Sequence, residues 1–137
     1  ITVRTEVNGE QVPCQFTYIP RGFVELPLHR HIPHPIATQE ITIRPNQLQA
    51  LDDCLSLLAS RNIPVTLIEV PASQTLYQSY TNHATFEQLM SQRPWADQYL
   101  NLNGRIPLTD SLHFFDEDHL NQEGVTILNQ YLISCIL

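Results

Sequence analysis

The stretch IPVTLIEVP, from Ile63 to Pro71, decides the fold. Between its two prolines it is an almost uninterrupted apolar run rich in β-branched residues, the pattern of a strand covered on both faces in a parallel sheet. Immediately upstream, Leu48, Leu51, Leu55 and Leu58 recur at intervals of three and four. That stripe predicts a helix from Pro45 to Ser60, with Pro45 tolerated in the first turn and Asn62 near the end. A helix followed by a buried strand implies a crossover unit, and hence an α/β domain.

Downstream, the segment after Pro71 has no clear periodicity. Thr85 to Gln88 fits a capping box ahead of Leu89 and Met90, and Pro94 ends that helix. DQYLNLNG, residues 97–104, reads as a second strand closed by Asn103-Gly104, and Leu112 to Phe115 as a brief extended piece. Asn121 can cap a last helix whose Val125, Leu128, Leu132 and Ile136 share one face. At the other end, ITVRTEVNGEQVPCQFTYIP reads as a β-hairpin turning at Asn8-Gly9, with Pro13 marking an edge strand. The prolines between Pro20 and Pro35 make a connection. The expected division is therefore residues 1–40, hairpin and proline-rich connection, and residues 41–137, the α/β segment.

The 137 residues carry 14 acidic and 7 basic side chains, every basic one an arginine. Nucleic-acid binding would need a basic face that this composition does not provide. Past Arg105 there is no further cation, while Asp110, Asp116, Glu117, Asp118 and Glu123 follow, so the C-terminal end carries a negative field. No apolar run is long enough to span a membrane, and no signal peptide is visible. Cys54 and Cys135 fall in apolar helical patterns and read as buried thiols. The opening at Ile1, directly in strand-like sequence, reads as a piece of a longer protein.

The chemistry concentrates in FFDEDHLNQEG, Phe114 to Gly124. Asp116 and His119 stand three apart just before the last helix. A carboxylate beside an imidazole fixes its tautomer and stabilises the imidazolium, as a general base acting on a serine requires. With the preceding helix–strand–helix–strand order, Asp116, His119, Leu120, Asn121 and Gly124 resemble the C-terminal half of the SGNH (GDSL-type) hydrolase superfamily, over roughly residues 41–137. The resemblance implies a three-layer α/β/α sandwich, flavodoxin-like and here partial, with a mainly parallel sheet. It also implies that Asp116 is the triad acid and His119 the base of an ester hydrolase acting on an ester or acylated carbohydrate, without cofactor, in an extracytoplasmic or cell-envelope setting. The family's Gly-Asp-Ser turn and its oxyanion-hole blocks have no counterpart here, so the nucleophile is expected from an upstream part of the parent chain, and the isolated segment is expected to be inactive.

Other readings stand beside this one. Ser73, past the carboxyl end of the IPVTLIEVP strand, and Ser111, five residues before Asp116, are candidate local nucleophiles. The fold can also serve as a non-catalytic binding or structural module of a larger cell-envelope protein. Asp116, Asp118 and His119, or His29, His31 and His34, offer metal-type donors, but histidines among prolines read as a solvated loop and no metal is assigned. One geometric criterion separates enzyme from module: an Asp116 oxygen must reach one His119 nitrogen while the other nitrogen stays open.

Overall fold

The computed structural model describes residues 2–7, 10–15, 17–19, 23–25, 30–94 and 96–136, with side chains from 30 to 135 apart from 95. The chain gathers into two compact units, His34–Pro107 and a second made of Ile1–Pro33 with Leu108–Leu137. Helices together with a small parallel sheet place it coarsely in the α/β class. No helix among the described residues is long and apolar enough to cross a membrane.

The unit His34–Pro107 holds α1 (Pro45–Ala59), β5 (Thr66–Glu69), α2 (Gln74–Ser79), α3 (His83–Ser91) and β6 (Gln98–Asn101); the four strands that precede them are described with the other unit. Helix α1 begins at Pro45, after Arg44 in an extended conformation. Its leucine stripe turns inward, with Leu55 buried and Leu48, Leu51 and Leu58 half-buried. The helix ends on Asn62 in the left-handed region, φ 55°, where the Ile63 N–H donates back to the Leu58 oxygen and the Asn62 N–H to that of Ala59. This is a Schellman ending, and asparagine is one of the few residues besides glycine that tolerates it. The chain then enters β5 directly.

Strands β5 and β6 pair in parallel, from Thr66 opposite Gln98 to Glu69 opposite Asn101, with α2 and α3 forming the crossover between them. Asp97 anchors the start of the pair: its N–H donates to the Val65 oxygen at 2.8 Å and its carboxylate accepts the Val65 N–H. The pair closes at the Asn103-Gly104 turn, where Gly104 has φ 72° and the Arg105 N–H donates to the Leu102 oxygen. A positive φ at the third position of such a turn selects glycine. Leu102 and Ile106 are buried just beyond the strand. Arg93, at the end of α3, ties back to α1 through Asp52 at 3.2 Å.

Several expectations change here. The residues of β5 are all half-buried rather than covered on both faces, because the sheet stops at two strands and no third flanks it among the described residues. Helix α3 starts at His83, so Thr85 lies inside it and forms no cap; the Asn82 side chain instead brackets the Ile41 backbone, accepting its N–H and donating to its oxygen. Cys54 is exposed, one residue off the leucine stripe, and Cys135 is exposed in the last helical turn. Neighbouring residues stand about 100° apart around a helix, which turns Cys54 away from the face that buries Leu55.

In the other unit, β1 (Thr2–Val7) pairs antiparallel with β2 (Glu10–Gln15), and β3 (Thr17–Ile19) with β4 (Phe23–Glu25). The expected Asn8-Gly9 turn lies outside the described residues. Pro13, opposite Arg4, sits in a two-stranded sheet in which every strand is an edge. The same unit contains α4 (Asp110–His113) and α5 (Gln122–Ile136). Leu112 and His113, expected in an extended piece, belong to the helical turn α4, closed by the Thr109 N–H donating to the His113 Nδ1 at 2.7 Å. Phe114 then turns extended and is 1% exposed. The His31 N–H donates to its carbonyl oxygen, and His31 itself is buried rather than solvated.

Candidate active site

The segment between α4 and α5 is held by a short bridge and one side chain. Phe114 and Leu120 form an antiparallel bridge, and the Phe115 N–H donates to the His119 oxygen at 2.7 Å, so residues 115–119 make a closed loop. Asn121, buried at the foot of that loop, caps α5: its Oδ1 accepts the N–H groups of Glu123 and Gly124 at 3.0 and 3.1 Å. Its Nδ2 meanwhile donates to the carbonyl oxygens of Leu112 at 2.7 Å and Phe114 at 3.4 Å, and its N–H to that of His113. One amide thus satisfies orphan groups of two helices at once. Gly124 completes the corner, because a Cβ there would lie 2.2 Å from the His113 carbonyl oxygen.

The Leu-Asn-x-x-Gly portion of the motif therefore has a structural explanation: it welds α4 to α5. Asp116 and His119 sit on the loop that this corner presents. The Asp116 Oδ1 accepts the N–H groups of Asp118 at 3.2 Å and His119 at 2.8 Å, a local turn that asparagine and aspartate side chains favour. The same carboxylate meets the His119 Nδ1 at 2.9 and 3.0 Å. The His119 side chain is 66% exposed. Its Nε2 has no hydrogen-bond partner among the described residues.

Electrostatics follow from that geometry. Burial pushes the Asp116 carboxyl up, but the His119 ring, the backbone N–H groups of Asp118 and His119 and the imidazolium charge outweigh it and hold it below the usual carboxylate range. The Asp116 hydrogen bond raises His119 above its ordinary value against a partial desolvation that lowers it, with the charges of Asp116 and Asp118 adding to the rise. An imidazole with a raised pKa is a stronger base once deprotonated, which it becomes at higher pH. Asp118, expected only as a possible metal donor, brings an oxygen of a second carboxylate to 3.0 Å from the same Nδ1. Desolvation and the neighbouring Asp116 raise its own pKa. The only signal for it was its place inside the acidic run.

Asp116, Asp118 and His119 offer one ligand atom each within 4.8 Å of one another, all at the surface. Ligation of a cation by the Nδ1 and a hydrogen bond from that nitrogen to Asp116 exclude each other.

The two candidate serines fare differently. Ser73 is 0% exposed and caps α2, its Oγ accepting the Leu76 N–H at 3.2 Å. A fully buried hydroxyl engaged as a cap gives a substrate no approach. Ser111, half-buried in α4, makes no hydrogen bond to His119 among the described residues.

A second polar cluster, unanticipated as a unit, lies at the carboxyl ends of β5 and β6. The Glu69 carboxylate accepts the Tyr99 hydroxyl and the Asn103 Nδ2, Asn103 in turn accepts the Ala72 N–H, and the Asn101 Nδ2 donates to the Tyr77 hydroxyl. Burial and the adjacent Glu69 charge push the Tyr99 phenol well above its usual range, so it stays a donor. The carboxyl edge of parallel strands is where α/β proteins assemble sites, yet these groups satisfy one another and read as the lock on the two strands. Comparison with protein-family models, with curated proteins and with solved structures gives no match.

Proposed function

We propose that Asp116 and His119 form the acid–base half of a serine-type ester hydrolase site, with the nucleophilic serine supplied by polypeptide outside residues 1–137. The observation that carries the reading is the pairing of the Asp116 carboxylate with the His119 Nδ1 at 2.9 Å, on an imidazole whose Nε2 has no partner among the described residues. In this scheme Nε2 takes the proton of the serine hydroxyl as it attacks the ester carbonyl. Asp116 holds the ring in the tautomer with hydrogen on Nδ1 and stabilises the imidazolium; the acyl-enzyme is then hydrolysed by water that the same Nε2 activates. The substrate class is a neutral ester, such as an acylated carbohydrate, which suits the acidic surroundings better than an anion would. The SGNH resemblance adds the expectation that further strands complete a three-layer sandwich, and that the protein works outside the cytoplasm or in the cell envelope.

The test is turnover of p-nitrophenyl acetate by the natural polypeptide that carries this segment, beside its Asp116→Asn and His119→Ala variants. The reading expects losses of about 10⁴-fold, the scale on which a misoriented or missing base acts. Undiminished turnover in His119→Ala ends it. Residues 1–137 alone should show no turnover; activity there that disappears in Ser111→Ala would place the nucleophile at Ser111.

A second reading, a non-catalytic binding or structural module of a larger cell-envelope protein, is favoured by the burial of Ser73 as a helix cap and by the structural explanation of Leu120, Asn121 and Gly124. It expects no esterase turnover from any form of the chain.

A further inference from the structure

In the tautomer with hydrogen on Nδ1, the His119 ring offers one N–H there, and three carboxylate oxygens face it. Those of Asp116 stand at 2.9 and 3.0 Å, and the Asp118 Oδ1 at 3.0 Å. Successive side chains of an extended strand point to opposite faces, so neighbours such as Asp118 and His119 meet only where the chain bends. The loop of residues 115–119 supplies that bend, closed by the Phe114–Leu120 bridge and by the Phe115 N–H on the His119 oxygen.

The two carboxylates are held differently. Asp116 is fixed by the backbone N–H groups of Asp118 and His119, and its side chain is 38% exposed. The Asp118 side chain is 65% exposed. A carboxylate with that much access to water, close to a second one, lowers the like-charge repulsion by turning outward. Asp118 instead turns onto the ring, although partial burial and the neighbouring Asp116 both disfavour its charge. What offsets that cost is the Nδ1–H and, once the ring is protonated, the imidazolium charge.

We infer that Asp118 is a second positioning residue of the base: it accepts the same Nδ1–H as Asp116 and adds its charge to the imidazolium that forms when Nε2 takes the serine proton. This role rests on the ester-hydrolase reading and deepens it. Asp116, anchored by backbone N–H groups, sets the direction of the ring; Asp118 adds a second acceptor and a second charge at the same atom. Turning the ring over would exchange Nδ1 for a carbon and leave both carboxylates without the N–H, so the pair opposes that flip. The Nδ1–H stays on nitrogen throughout, neither carboxylate takes a proton, and the one proton transferred moves from the serine to Nε2. Asp118 touches neither serine nor ester and acts only through His119.

Asp118→Ala in the natural polypeptide that carries this segment tests the role by two measurements, one of which needs no turnover. With nitrogen-15 at histidine, and the signal assigned by its loss in His119→Ala, the ring shifts of neutral His119 give the ratio of its Nδ1–H to its Nε2–H tautomer. Removing Asp118 should lower that ratio about threefold to fivefold, the scale of one exposed ion pair, and Asp118→Glu should restore most of it. Turnover of p-nitrophenyl acetate should lose about the same factor in kcat at unchanged KM, and recover likewise in Asp118→Glu. Far-ultraviolet circular dichroism verifies folding, and Asp118→Asn is the second variant should the first unfold. An unchanged tautomer ratio overturns the inference whatever the turnover does. A lowered ratio with undiminished kcat also overturns it, leaving Asp118 a surface contact of the ring. Full turnover in His119→Ala instead ends the ester-hydrolase reading, and the catalytic role of Asp118 with it, while the tautomer ratio still reports on the contact.

Discussion

Replacing Gly124 by alanine separates the architecture of the Asp116–His119 loop from its chemistry. A Cβ at this position would stand 2.2 Å from the His113 carbonyl oxygen and 3.0 Å from the Leu120 Cδ2. Restoring ordinary contact requires moving that carbonyl, or the start of α5, by about 1 Å. The carbonyl belongs to backbone fastened by the Asn121 N–H at 3.0 Å, and its neighbour Leu112 by the Asn121 Nδ2 at 2.7 Å. Opening the corner strains or breaks both bonds, at about 1 kcal/mol each, and overpacking of this kind costs about 1–3 kcal/mol more. Against this, alanine gains about 1 kcal/mol over glycine in helix propensity. The expected outcome is a net loss of about 2–4 kcal/mol, read as a lower urea midpoint at unchanged slope. Equal or greater stability of Gly124→Ala would refute the close-approach argument, since propensity alone would then have won.

Asn121→Asp keeps the cap acceptor but turns the amide donors into an anion facing the Leu112 and Phe114 carbonyl oxygens; a loss of about 2–3 kcal/mol is expected in urea melts at neutral pH, easing as the carboxyl protonates. Ser73→Ala should cost about 1 kcal/mol, the usual value of a serine cap, and leave any esterase turnover of the natural polypeptide intact; lost turnover without lost stability would return Ser73 to the candidate nucleophiles. In an NMR titration, Asp116→Asn should move the His119 pKa down towards about 6.5, whereas an unmoved midpoint would mean that Asp118 alone sets it. The pair also contributes to pH-dependent stability. Asp116, held low, contributes above its unfolded value of about 3.9 and loses the contribution as pH falls through its folded value; His119, held high, contributes below about 6.5 and loses it as pH rises through its folded value. The gap in stability between wild type and Asp116→Asn is therefore widest between about pH 4 and 6.5, and stays within about 1 kcal/mol because His119 is largely exposed. A gap that grows towards pH 9 instead would contradict the pairing.

Local periodicity and punctuation were legible without coordinates. The leucine stripe and Pro45 located α1, Asn62 marked the neighbourhood of its end, the β-branched run located β5, and Asn103-Gly104 marked the end of β6. These are decided within a few residues, where backbone sterics and hydrophobic spacing dominate. Asp116 and His119 were also visible as a pair, because three residues of chain cannot carry them far apart. Which hydroxyl is accessible was not visible: Ser73 and Ser111 look alike in sequence, and only packing shows the first to be a sealed cap. Nor was the division of labour inside FFDEDHLNQEG. Gly124 is restricted by a carbonyl eleven residues earlier and Asn121 by two carbonyls of the preceding turn, contacts that no spacing rule announces. The half-burial of β5 belongs with them, since a strand's composition states what it needs covered, while only the tertiary structure decides how much of that need is met.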